Sequence, residues 1–379
     1  MSVAFGRRRG VFSKSFSNPK HCSYSLPRTA TIVSGAVAER CRFRAYLIYS
    51  FFLTGFIYPV ASHWIWSPDG FLNGKVLDFS GAGGVHLIGG AAAMAGSVFL
   101  GPRIGKFKFH ESTQKWEAVD IPGHNAVLAA LGAFILWMGF FAFNGAACAA
   151  FFCPSYSETG RIVTVTMLAG SSGCLTLLFF GVIRFGCWDL KLAINGLLSG
   201  MVASCSGCNV IDPWAALLVG FLGAFGYYGQ VYLFEHVLRI DDPLGASAVH
   251  QAAGAVGLIT TAFLANSDHV DNEDQAGIFY GGNGKQLGYQ IMGLCCYFGW
   301  SFGTCAILFK SMDLMGILRV SAEVELQGMD MHHHGGRAYP EHDTVASKLD
   351  VSDSCSDSPV PTEAEIHQNR PTTIVAGAE

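Results

Sequence analysis

The chain has 379 residues, 51% of them apolar and only 14% charged, against about 25% charged in soluble domains. With 46 Gly and 29 Phe beside that charge deficit, the composition excludes an ordinary soluble globular protein and points to packed membrane helices. The formal net charge of -4 identifies no partner class by itself, and no nucleic-acid-binding character is expected. The 12 Cys are scattered, most of them inside apolar blocks (Cys148, Cys174, Cys295, Cys296 and Cys305), and form no framework of a secreted domain. Cys205 and Cys208 make a lone CxxC without a second pair, which reads as packing rather than a metal or redox site.

In chain order, residues 1–38 come first, carrying Arg7, Arg8, Arg9, Lys14, Lys20 and Arg28 without any Asp or Glu. That composition fits a transit peptide, a disordered basic tail or a mistaken start of the sequence, and the segment is expected to lie outside the folded domain. A membrane domain is expected over 39–311. A crossing helix needs roughly 20 mainly apolar residues, and eight blocks qualify: 43–62, 81–100, 125–150, 162–183, 192–210, 213–235, 246–265 and 287–310. The fifth is short and interrupted by Gly and Ser. Basic residues collect at alternate joints: Arg40, Arg42 and Arg44 before the first block, then Arg103, Lys106, Lys108 and Lys115 after the second. Arg184 and Lys191 follow the fourth, and Arg239 the sixth. The positive-inside rule makes those joints cytoplasmic and puts both termini on that side. Residues 312–348 are expected to form a cytoplasmic tail containing His332, His333 and His334. The Ser/Asp/Pro-rich stretch 349–379 is expected to be disordered.

Two stretches repeat. DFSGAGGVHLIGG starts at Asp78 and DPLGASAVHQAAG at Asp242. They share the Asp, a Gly three residues on (Gly81, Gly245), a Val (Val85, Val249), a His (His86, His250) and a later Gly (Gly90, Gly254). The copies fall on the second and seventh blocks and therefore run through the membrane in opposite directions. Inverted repeats of this kind place the working site near the midplane. Eight helical residues rise about 12 Å, close to the half-thickness of about 15 Å, so each His reaches the centre from its own side. A single intramembrane His is often a packing residue, but two at matched positions read as a site. A neutral pair there offers one donor and one acceptor across the gap.

These residues resemble the ammonium transporter family, in particular its plant-type branch. The likeness covers about residues 32–342. It runs in order through YPVASHWIW, DFSGAGGVHLIGG, LGPR, LWMGFFAFNGA, NGLLSGMVASCSGC, DPWAA, DDPLGASAVH and RVSAEVELQGMDMHHHGGRAY. The resemblance implies an all-α polytopic bundle forming a trimer with one ammonium pore per subunit. No enzyme activity, cofactor or metal goes with it. It implies His86 and His250 as the substrate pore. Trp66, Asp78, Phe143 and Phe140 become the outer recruitment site, with Trp66 offering a cation–π face. Asn144 belongs to the aromatic segment, and Gly328, Asp330, His334 and Gly335 to the regulatory tail. Each has a blander reading: Trp66 as an interfacial belt residue, Asp78 as a helix cap, Phe143 as core.

The chain departs from the pattern at several places. The family's first three helices have no counterpart, for which a wrongly placed gene start is the first expectation and a degenerate or partner-dependent form the second. Ala147 stands for a vestibule Ser, Phe140 for a Trp, Gly245 for an acidic residue, and His332 for a Thr that is phosphorylated in plant members, removing that charge switch. The implied partners are ammonium or ammonia, the lipid bilayer, and further copies in a homotrimer or a heterotrimer with full-length paralogues. The expected location is the plasma membrane. The alternatives are an ammonium sensor signalling through the tail, a gas channel of the related Rhesus type, and a metal site on His332–His334. Consecutive residues cannot converge on one ion from regular structure, which counts against the last.

Overall fold

A computed structural model describes residues 20–150 and 156–336. The regular elements are almost all helical. In chain order they are α1 (Lys20–Val37), α2 (Phe43–Trp66), α3 (Ala82–Leu100), a hairpin of β1 (Phe107–His110) and β2 (Lys115–Ala118), α4 (Ala126–Ala150), α5 (Tyr156–Phe185), α6 (Leu190–Ser204), α7 (Pro213–Leu238), α8 (Ala248–Leu264) and α9 (Lys285–Leu314). Two short helices, α10 (Ala322–Gln327) and α11 (Met329–His333), follow.

Six helices are long and apolar enough to cross a membrane, namely α2, α3, α4, α5, α7 and α9, while α6 and α8 are shorter apolar helices. These eight coincide with the eight blocks read from the sequence. The fifth block is corrected at its end. The helix stops at Ser204, and residues 205–211 form consecutive turns closed by bonds such as Val210 N–H to Gly207 O at 2.9 Å. The tail boundary also moves, because α9 runs on to Leu314.

The expectation that residues 1–38 lie outside the fold is corrected for the second half of that stretch. Lys20–Val37 is a helix, and Ala30, Val33, Ala36 and Val37 are buried. Small residues permit this: a Cβ at Gly89 would fall 2.6 Å from Ile32, and one at Gly96 2.8 Å from Val37. The α1 backbone thus lies close to α3, tied also by Ser97 Oγ–H to Ala36 O at 3.3 Å. Residues 1–19 and 337–379, including the expected disordered end 349–379, lie outside the described residues.

The helices α5, α6 and α7 pack by the same device. Gly173 and Gly196 face each other backbone to backbone, and a Cβ on Gly200 or on Gly220 would meet the carbonyl of Ala169. Contacts this close are the usual way of joining apolar helices where no hydrophobic gain is available between them.

At the end that carries the basic joints, charged groups interlock. Arg103 binds Asp241 through Nε (2.8 Å), Nη2 (3.0 Å) and its backbone N–H (2.9 Å), and Glu39 through Nη1 (2.8 Å). Arg40, fully buried, donates to Gly101 O and to Asp241 O. Arg319 reaches Leu100 O and Pro102 O and pairs with Glu325, whose Oε1 accepts from Ile104 N–H. The start of α2, the loop after α3, the loop before α8 and the tail are thereby fastened together. Burial alone would raise the Asp241 carboxyl, but its bonds to Arg103 and the charges of Arg40 and Arg103 hold it below the ordinary carboxylate range.

Candidate functional site

Each copy of the repeat begins with its Asp folded over the start of its helix. Asp78 Oδ2 accepts from Gly83 N–H (3.1 Å) and Gly84 N–H (2.7 Å). Asp242 accepts from Ala246 N–H (2.9 Å) and Ser247 N–H (2.7 Å). Orphan amides at a helix N-terminus favour such acceptors. Gly81 and Gly245 follow in left-handed conformations, φ 98° and φ 65°, which glycine adopts without strain. In both copies the His then sits in a π-helical turn, Ala82–Leu87 for His86 and Ala248–Ala252 for His250.

The two arms cross where glycine clears the way. A Cβ at Gly90 would lie 2.3 Å from Gln251 N, and one at Gly254 2.4 Å from Ala82 O and 3.2 Å from Leu87 N. The contacts are reciprocal: the shared later glycine of each copy touches the residue just after the other copy's His. That is the pattern of a twofold exchange between arms. Val85 and Val249 are buried beside it.

The rings meet at this crossing. His86 Nδ1 and His250 Nδ1 are 3.1 Å apart. The rings are nearly parallel, with centroids 5.1 Å apart and planes at 7°. In neutral rings one Nδ1 donates and the other accepts. Phe140 stacks on His86 at 5.5 Å and 18°, and Phe143 meets its edge at 5.8 Å and 78°. The structure therefore gathers His86, His250, Phe140 and Phe143 in one cluster.

Trp66 and Asp78 form a second group at the start of α3. The indole Nε1–H donates to Asp78 O at 3.3 Å. A Cβ on Gly81 or Gly84 would approach the Trp66 ring to 3.1 and 2.9 Å. Trp66 is half-buried on the glycine face of the helix that carries His86, and Asp78 is buried as its cap. Asn144 is internal, donating to Thr166 Oγ1 at 2.8 Å and accepting from Cys205 Sγ at 3.4 Å. Cys208 lies 3.7 Å from Ser80 Oγ, so both cysteines of the CxxC serve side-chain contacts in the interior.

The sequence reading missed what holds the segment around Asp78 in place. Gln290, inside α9, accepts from Leu77 N–H at 3.0 Å and donates to Leu77 O at 2.7 Å. Ser206 Oγ–H donates to the same carbonyl at 2.7 Å, while Ser206 O and Cys205 O accept from Phe79 and Ser80 N–H. The one available signal was a buried glutamine inside an otherwise apolar span. The tail residues lie apart from this site. Gly328 (φ 89°) separates α10 from α11, Asp330 lies in α11, His334 closes it, and Gly335 (φ 74°) follows. His332 Nε2 pairs with Gln327 Oε1 at 2.9 Å. Among the described residues no group of three or more His, Cys, Asp or Glu is placed to hold a metal.

Apolar spanning helices in an inverted repeat, with two ring nitrogens in contact where the arms cross, define a polytopic α-helical membrane protein. Over residues 24–339 the chain matches the Ammonium Transporter Family, and it belongs to that family. It is 41% identical over 343 residues to ammonium transporter 1 member 2 of Oryza sativa subsp. japonica, covering 84% of this chain and 68% of the relative. To the putative ammonium transporter 1 member 5 of Arabidopsis thaliana it is 39% identical, covering 88% and 70%. A solved structure titled Sensor Amt Protein superposes with a TM-score of 0.72 at 31% identity, covering 82% of this chain and 74% of that one. Candida albicans Mep2 gives 0.68 at 27%, covering 78% and 64%.

Proposed function

We propose that the chain conducts ammonium or ammonia across a membrane, through a conduit whose narrowest wall is the His86–His250 pair. The observation that carries this reading is the 3.1 Å contact between two imidazoles from oppositely running arms. An imidazole inside an apolar bundle is costly unless it is used. Two placed ring to ring offer a hydride of nitrogen alternating donor and acceptor groups in place of the water it sheds. Phe140 and Phe143 border His86 and exclude solvent from it. Trp66 and Asp78 act earlier, at capture: the indole presents a π face to a cation, and the buried carboxylate of Asp78 lends negative charge beneath it. The names of the relatives agree with this substrate.

The working form in this reading is a trimer with one conduit per subunit, of identical chains or mixed with paralogues. It sits in the plasma membrane with the basic joints and both termini cytoplasmic, and Gly328, Asp330, His334 and Gly335 form part of the regulatory tail.

Ammonium-driven flux into proteoliposomes tests the conduit. His86→Ala and His250→Ala are each expected to lower the rate about tenfold or more, about 1.4 kcal/mol of barrier, or to change selectivity. Trp66→Ala is expected to raise the half-saturating concentration more than it lowers the maximal rate. Native rate and selectivity in both His variants would overturn the assignment. Ammonium binding without flux in the unmodified chain would favour a sensor instead.

A further inference from the structure

The hairpin between α3 and α4 belongs to neither the histidine cluster nor the tail. Its register pairs Phe107 with Ala118, Lys108 with Glu117, Phe109 with Trp116, and His110 with Lys115. Residues directly opposite in an antiparallel pair share a face, and successive residues alternate. One face is therefore Phe107, Phe109, Trp116 and Ala118; the other is Lys108, His110, Lys115 and Glu117. The polar face closes on itself through His110 Nε2 and Glu117 Oε2 at 2.7 Å. The apolar face stays open: Phe109 is 44% and Trp116 52% exposed, with their rings 5.4 Å apart.

A two-stranded ribbon alone is marginally stable, and this one is fixed to the end of a span. Val119 N–H closes its base on Lys106 O at 2.7 Å. Lys106 Nζ binds Glu235 at 2.8 Å, and the Arg239 guanidinium lies 5.2 Å from the centre of the Trp116 ring. Glu235 belongs to the last turns of the 26-residue span Pro213–Leu238, and Arg239 follows it directly. Such a helix is about 39 Å long, close to the bilayer thickness of about 40 Å with its headgroups. Its final turns and the hairpin therefore stand at headgroup depth. Leu233, Val237 and Leu238 in those turns are exposed and apolar.

We propose that the hairpin is an interfacial anchor whose Phe109–Trp116 face rests in the phospholipid boundary layer on the basic side of the membrane. An aromatic pair suits that layer, where ring faces enter the acyl boundary and the indole N–H stays wet. Arg239, against the Trp116 ring, and Lys108 and Lys115, on the hairpin's opposite face, suit lipid phosphates.

The protein in liposomes gives the test. Trp116 is one of seven tryptophans, so its signal is read as the difference between the unmodified chain and Trp116→Ala, with Trp116→Phe as a second reference that keeps an aromatic ring. The difference signal should lose most of its intensity when the lipids carry bromine near the carbonyl end of the acyl chain, and little to aqueous iodide. Quenching by iodide alone would show a wet face, and quenching by neither would show that protein covers it. Either result overturns the proposal. The measurement needs no transport, so it stands or falls apart from the conduit.

Discussion

At the scale of single residues, the fold depends on places where nothing protrudes. Gly254 lies against the carbonyl of Ala82 and Gly90 against the amide of Gln251, both backbone atoms that cannot swing aside. Gly229 also lies in a spanning helix, yet a Cβ there meets nothing within 4 Å. Gly90→Ala and Gly254→Ala are therefore expected to destabilise by about 1–3 kcal/mol, the usual cost of overpacking, and to lower flux by separating the rings. Gly229→Ala should do neither. Melting temperature in detergent and flux in liposomes, compared across the three variants, check this. Unchanged behaviour in all three would show that the crossing yields freely. The glycines and histidines were legible in the sequence because the repeat displays them at matched offsets. Gln290 and Ser206 were not, because they act on Leu77 from chain positions more than 120 residues away and belong to no repeated pattern.

At the scale of elements, the eight apolar blocks predicted the eight helices because charge is excluded from lipid and collects at the joints. Two features escaped. Lys20–Val37 carries too short an apolar run to read as a span, and its packing rests on small residues of α3 far along the chain. The π turns at both histidines leave no compositional trace. The ionic clamp around Asp241 joins elements distant in sequence, and its worth follows from burial: the side chains of Arg103 and Asp241 are only 9% and 1% exposed. Asp241→Asn is expected to cost about 3 kcal/mol, the low end for a broken buried pair, because the buried Arg103 guanidinium keeps only the exposed Glu39 as a charge partner. The carboxyl is depressed in the folded protein, so its contribution is complete above the unfolded value of about 3.9 and fades only as pH falls through the lower folded value. The difference in melting temperature between the unmodified chain and the variant should hold steady from pH 8 to pH 5 and shrink in stronger acid. A difference that vanished near pH 6 would mean that the clamp is not what Asp241 contributes.

Over the whole molecule, the surface divides unevenly. The apolar window of α4 is only 11% buried and that of α9 22%, against 83% for α3. A span that gives so little of itself to its own chain is covered by lipid or by other subunits, and the proposed trimer would take part of that surface. Native mass measurement after mild extraction should find three copies, and a persistent monomer would remove that part of the proposal. Family membership was legible from the ordered motifs. How the outer faces are shared between lipid and neighbours was not, since both environments ask for the same apolar side chains.

A π turn is an α-helix that has swallowed one surplus residue. Both repeat arms hold theirs at the imidazole, so the alignment of the two rings relies on a matched pair of miscounts. Losing that surplus residue from a single arm would restore ordinary winding there, leaving the flanking turns nearly in phase but turning the imidazole itself away from its partner. The two arms must therefore keep or lose that residue together, and a length change confined to one of them would leave the partner ring facing the wrong wall.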